Sequence, residues 1–413
     1  MNINYLSFKL NKRILFCCMI ALFANALYAS ADEKENNSST LPLFKHEGLK
    51  FEGAFRLPLT ESGDSRIAYS EGTFTLSDDA KSFFVVGHAH HQAIAEMSVP
   101  KIIKSKNLDK LKMAKILQPY KAHLKKLQNK QKIKLDKITG LEYVDGQLWV
   151  NAVEKYDANA NEKLTSFIIR DAKNLSKTKL SGLYSLKGSA HAAGWVSPVP
   201  QPWRARWQSD YLTGYASNVS INSRLSIGPT AFLFYPFTAL TGDVEKGFLP
   251  TTPLLDFSLK HPLHSDRYND SGENNLWTEV SEGIYGFIVP GSNTYLVVGN
   301  SGGHEGGIGY KAKQDNGNVC GGPCSKKAKD NYNYFWSWKV NELNKTKEDG
   351  MAPYAHRPYE YGYFDKSSKH WKIIGADFHS KTNRLFVLYA HRDYKQSKYE
   401  NAPLMLVYKL DQL

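Results

Sequence analysis

Residues 72–86 read GTFTLSDDAKSFFVV: a glycine, a short apolar-alternating run, a polar turn and a second apolar run. The layout returns as GLEYVDGQLWV (140–150), GIYGFIVPGSNTYLVV (283–298) and GADFHSKTNRLFVL (375–388). Each reads as strand, turn and strand, and VDGQ, VPGSNT and HSKTNR carry the Gly, Asn and Asp that tight hairpins require. Degenerate repetition of a hairpin is the sequence signature of a β-propeller, whose four-stranded blades surround a channel. Further strands are expected at 49–57 (LKFEGAFRL), 165–171, 229–236, 334–340 and 403–410 (PLMLVYKL). The last can share a blade with the first and close the ring. At roughly 50 residues per blade, the expectation is an all-β, seven-bladed β-propeller, a single domain over 48–413. One helix is expected, where LDKLKMAKILQ (108–118) has helical apolar spacing.

The N-terminus reads differently. Lys9, Lys12 and Arg13 precede an apolar run from Ile14 to Leu27, which ends in the small-residue pattern ASA (29–31). Residues 1–31 therefore read as a secretory signal peptide, and the product as secreted or periplasmic. No later run is long and apolar enough for a membrane span. Residues 32–47 are polar and charged and are expected to be disordered. Aromatic residues make up 13% of the chain, with 24 Tyr, which suits half-buried sheet surfaces and also sugar stacking. Net charge is +13, and Lys101–Lys137 alone holds 13 Lys against Asp109 and Asp136. Such a stretch is either a solvated basic surface or a patch for a polyanion. For an exported protein an anionic polysaccharide fits better than nucleic acid.

Chemistry-bearing residues cluster at FVVGHAHHQAIAEMSVP (84–100), where His88, His90 and His91 follow the end of a strand. In a propeller, strand ends open onto the channel mouth, where ligands usually sit. A second cluster is GGHEGGIGYKAKQDNGNVCGGPCSKK (302–327), a glycine-rich loop with His304, Cys320 and Cys324. Loops of this length are usually functional or held by something. One imidazole and two thiols are three of the four ligands of a tetrahedral zinc site, with His261, His264, His356 or water as the fourth. The other reading is a Cys320–Cys324 disulfide, natural in an oxidising compartment.

Several stretches together resemble a family of secreted bacterial seven-bladed propellers that includes ulvan lyases. They are FRLP (55–58), FFVVGHAHHQAIAEMSVP (83–100), LQP (117–119), the segments 139–158, 203–234 and 301–338, RPY (357–359), and 373–389. The resemblance spans nearly the whole chain beyond the leader. It implies β-elimination on a sulfated, uronate-bearing polysaccharide such as ulvan. That reaction needs a group to neutralise the uronate carboxylate, a base for the adjacent C–H and an acid for the departing oxygen. Carried onto this chain, the resemblance implies catalytic roles for His88, Tyr156, Arg170 and Tyr211. It implies substrate contacts for His90, His91 and Arg224. It also favours a structural zinc at His304, Cys320 and Cys324, with no organic cofactor. One departure stands out: where a partner histidine is expected upstream of His88, the chain reads IAYSEG (67–72). Tyr69 or Glu71 replaces it, His90 or His91 compensates, or the chain is a non-catalytic propeller that binds acidic glycans or a surface partner.

Overall fold

The computed structural model describes residues 40–157, 163–216, 226–244 and 247–411. Residues 1–31, read as a signal peptide, and Arg224 lie outside the described residues. The chain enters through β1 (Leu49–Arg56) and then builds the first blade from β2 (Phe74–Leu76), β3 (Ser82–Val86), β4 (Ile94–Ser98) and β5 (Ile116–Lys121). The second holds β6 (Lys137–Val144), β7 (Gln147–Val153), β8 (Leu164–Ile169) and β9 (Leu180–Leu186). The third holds β10 (Val196–Pro198), β11 (Tyr211–Thr213) and β12 (Ala231–Phe234). Next, β13 (Gly247–Leu249) returns to pair in parallel with β9, and β14 (Thr251–Leu255) completes the third blade. The fourth holds β15 (Glu282–Ile288), β16 (Thr294–Gly302), β19 (Asn331–Lys339) and β20 (Glu360–Tyr363), with a small hairpin of β17 (Ile308–Tyr310) and β18 (Pro323–Ser325) between. The fifth is β21 (Ile373–His379), β22 (Arg384–Asp393) and β23 (Ala402–Leu410), with β1 as its outer strand.

Innermost strands β2, β6, β10, β15 and β21 lie side by side in that order, and β21 returns to β2. The ring therefore closes with five blades among the described residues, not the expected seven. The repeat was read correctly in four blades, each quoted stretch being an inner hairpin. The fifth copy, in the third blade, is hidden because helix α2 (Trp203–Trp207) is inserted between β10 and β11. The blade spacing is also about 70 residues rather than 50. Long connections between strands, such as 99–115 and 256–281, account for the difference.

The expected closure is present. β1 runs antiparallel to β23 from Leu49↔Leu410 to Arg56↔Leu404. The helix expected at 108–118 is not. Leu108–Lys110 is a single turn, and Ile116–Lys121 is an edge strand paired with β4. Pro119 lies within it, a residue tolerated at a sheet edge and hostile to a helix interior. The helix of this region, α1 (His123–Gln131), begins just downstream and buries Leu124 and Leu127. Residues 44 and 46, within the segment expected to be disordered, are held in place. Phe44 is buried, its N–H donates to Thr294 Oγ1 at 2.9 Å, and His46 stacks on Phe335 with ring centres 4.0 Å apart.

Each innermost strand starts beside a glycine at one end of the channel: Gly72, Gly140, Gly194, Gly283 and Gly375. A Cβ on Gly375 would lie 1.9 Å from Gly72 O, and one on Gly140 would lie 1.8 Å from Gly194 O. Neighbouring blades thus meet backbone to backbone. Three of the five inner hairpins carry a bulge beside this glycine, which bends the strand toward its neighbour. Side chains stitch the same seams. Thr73 Oγ1 donates to Ile138 O at 3.2 Å, Thr139 Oγ1 to Ala193 O at 2.5 Å, and Asn300 bridges both backbone groups of Ile373 at 2.8 Å. Gly140→Ala is expected to cost about 2–3 kcal/mol in urea denaturation, because backbone has to move. Gly321→Ala, with nothing within 4 Å and no positive φ, should stay within about 0.5 kcal/mol of the parent.

Candidate functional site at the channel mouth

The glycine end of the channel opens into a cleft. Its polar lining comes from four blades: Glu71 before β2, Lys137 and Lys155 at the ends of β6 and β7, Tyr215 after β11, and Glu282 at the start of β15. Trp195 and Tyr285 form part of its apolar wall. Lys137 Nζ lies 3.5 Å and Lys155 Nζ 3.6 Å from the Glu71 carboxylate. Burial alone would raise the Glu71 carboxyl, but the two ammonium groups outweigh it and hold the group below its ordinary range. Burial would likewise lower Lys137, and Glu71, Glu282 and Tyr215 outweigh it in the other direction. Both groups are therefore charged at neutral pH, an ion-paired arrangement in a partly enclosed cleft.

Two arms leave this cleft. Glu71, Lys137 and Lys155 also border a second hollow, completed by His90, His91 and Lys125 of α1. Glu282 also borders a third, completed by Asn300, Tyr332, His370 and Lys372. Gln92 fixes the first arm: its Nε2 donates to Ala89 O at 2.6 Å and its Oε1 accepts from Ile138 N at 2.7 Å. This holds the histidine turn of the first blade against the strand that carries Lys137.

The structure divides the residues expected to be catalytic. His88 sits in that turn, and Tyr156, adjacent to Lys155, is exposed. Both are on the mouth side. Arg170 and Tyr211 are at the opposite end of their blades, which corrects the expected four-residue constellation. Arg170 follows Ile169, which pairs with Leu148 near the β6–β7 turn, whereas Lys137 pairs with Val153 at the mouth. All its donor nitrogens are engaged: Nε to Ser181 Oγ, Nη1 to Gln147 Oε1 and Leu240 O, and Nη2 to Ala239 O, at 2.7–2.9 Å. It clamps helix α3 (Phe237–Thr241) to the second blade. Tyr211 lines a separate hollow with Gln147, Arg204, Tyr235 and Phe237, and burial raises its hydroxyl. Further along the channel toward that end, Glu142 and Asp377 are buried, and burial raises both, Asp377 to about 6. The sequence reading did not single them out.

The expected zinc set does not fit this chain's geometry. Cys320 and Cys324 are joined in a disulfide with Cα atoms 6.3 Å apart, so neither offers a thiolate. His304 Nε2 is hydrogen bonded with Ser301 Oγ at 2.8 Å, and its ring lies between Tyr332 and Tyr334. His356 Nε2 bonds Thr346 Oγ1 at 2.6 Å, and His261 stacks on Tyr354. Among the described residues no cluster of three His, Cys, Asp or Glu side chains could hold a metal ion. Nor is any described helix long and apolar enough to cross a membrane.

No protein-family model and no curated protein matches this chain. Among solved structures it is similar to "Bacteroides ovatus Xyloglucan PUL GH43B", with a TM-score of 0.38 and 10% identity. The match covers 87% of this chain and 56% of that one, so this chain spans little more than half that protein's length.

Glu282, Lys155 and Tyr215 were missed from sequence, and Lys137 was seen only as part of a basic stretch. A signal was present for the carboxylates. SEGTF (70–74) and SEGIY (281–285) put a glutamate before the recurring glycine in two blades, and superposing the repeats aims both at the axis. The lysines have no such marker.

Two outcomes follow from this geometry. Glu71 has a lower pKa folded than unfolded, so its ion pairs stabilise above the unfolded value and that stability fades as pH falls toward the folded one. The stability gap between the parent and Glu71→Gln in urea denaturation should therefore be largest at neutral pH and shrink on acidification. A chain beginning at residue 32 should show no thiol reactive with Ellman's reagent when denatured without reductant, and its melting temperature should be unchanged by EDTA.

Proposed function

We propose that the protein is a secreted, polysaccharide-degrading propeller that acts on an acidic glycan at the channel mouth, by β-elimination next to a uronate. The observation that carries this reading is the Lys137–Lys155 pair, both within 3.6 Å of Glu71 at the channel-mouth cleft, with Tyr215 on the same lining. In the elimination, the ammonium groups take the place first assigned to Arg170. They bind the uronate carboxylate and delocalise the charge that builds as the neighbouring C–H is broken. An incoming carboxylate competes with Glu71 for the two lysines, and a Glu71 carboxyl that loses them takes up a proton, so no bare charge is left buried. Tyr215 at the mouth, with His88 and Tyr156 at the rim, are the candidates for moving the proton from carbon to the departing oxygen. A sulfated uronate polymer such as ulvan is the substrate we favour, on the basic surface of 101–137 and the resemblance described above.

A second reading rests on Glu71 and Glu282. Two carboxylates facing one cleft are the equipment of a glycoside hydrolase. The assay separates the readings. Purified protein is incubated with ulvan, polygalacturonate and neutral glycans. Ultraviolet absorbance of an unsaturated uronate marks elimination, and new reducing ends without it mark hydrolysis. We expect elimination, reduced at least about 100-fold in Lys137→Met and Lys155→Met and little affected in Arg170→Lys if the variant folds. Salt-sensitive binding with neither product would leave a glycan-binding propeller.

A further inference from the structure

The turn at residues 87–92 gathers three imidazoles at the outer end of the first arm. The His88 ring centre lies 5.4 Å from that of His90 and 4.8 Å from that of His91, and Tyr69 meets it edge-on at 5.5 Å. The turn is rigidly tied. His88 N–H donates to Arg66 O at 2.8 Å and Ala89 N–H to Tyr69 O at 3.1 Å, while Gln92 reaches the second blade as described. Tyr69 and Gln92 hold φ of 56° and 48°, and His391, whose ring centre is 6.4 Å from that of Tyr69, holds 54°. Bulky residues persist in this region only where their surroundings impose it.

Charged and titratable neighbours face the triplet from every side. Arg66, paired with Glu400 at 2.7 Å, and Tyr69 stand on its own blade's edge, with His391 beyond. Lys125 comes from α1, and Asp136, Lys137 and Lys155 from the second blade, with Glu71 at the cleft. The His90 N–H donates to His88 Nδ1 at 3.1 Å, so neutral His88 carries its proton on Nε2. Burial, then His91, His90 and Arg66, holds His88 below the ordinary imidazole range against Glu400. Imidazoles this close repel one another when charged, and an anion set between them removes that penalty.

We propose that His90, His91 and Lys125 form an anion subsite for the sulfate ester or carboxylate of a sugar adjoining the one at the channel mouth, and that the imidazole cluster takes up a proton as the anion docks. This deepens the acidic-glycan reading and rests on it for the ligand. Docking then weakens as pH rises through the imidazole range.

The test is a histidine-ring NMR titration of the whole protein in sodium sulfate and in sodium chloride of equal ionic strength, with assignments from His90→Gln and His91→Gln. We expect sulfate to raise the midpoint of His90 or His91 by about one pH unit, which is a tenfold preference for the protonated form. Dextran sulfate oligomers and oligogalacturonate then separate the two anion sources. The one that is bound should lose affinity about tenfold between acidic and neutral pH in the parent, and lose that dependence in the double Gln variant. Midpoints unmoved by sulfate, or affinity for both oligomers indifferent to pH, would overturn the subsite. Cleavage with pH-indifferent binding would sink this inference and leave the proposed function standing. Proton-linked binding without product would do the reverse.

Discussion

Everything at the channel mouth depends on the approach of bare backbone at the collar of glycines. Gly375 against Gly72 and Gly140 against Gly194 meet where no side chain fits, so the inner strands converge at that end. Convergence brings the residues just before and after each glycine to one small opening. Glu71, Lys137, Trp195 and Glu282 face one another across the channel because their strands begin at this collar. A larger residue there would widen the ring and separate the charges.

Those charges also need one another. A lysine as enclosed as Lys137 would be driven toward its neutral form without Glu71 and Glu282 nearby. Glu71 in turn is kept ionised by two ammonium groups. The cleft is thus self-compensated until a ligand arrives, and a ligand carboxylate can replace Glu71 as counter-ion. The lower channel follows a different rule. Glu142 and Asp377 are buried together and both are raised, which suits a filled interior better than a site open to substrate.

Fold class, ring closure and four inner hairpins were legible in the sequence because they rest on local patterns: period-two alternation, turn residues and a repeating glycine. Blade number was not, since α2 splits one repeat and long connections stretch the spacing. Apolar spacing at 108–118 was overridden by pairing with β4, a tertiary effect no window of sequence contains. The site was half legible. The histidine turn announces itself, whereas Lys155 and Tyr215 are ordinary residues that become neighbours only when the ring closes. Arg170 illustrates the converse. The resemblance implied chemistry for it, and its guanidinium is spent on backbone carbonyls and neighbouring side chains instead.

The seam between β1 and β23 has a temporal consequence. It joins Leu49 to Leu410, so the fifth blade is incomplete until residue 410 has left the ribosome. Until then two sheet edges stand open, and loop closure from residue 49 to residue 410 has to occur before the collar is drawn tight. Such a ring forms late and as a whole.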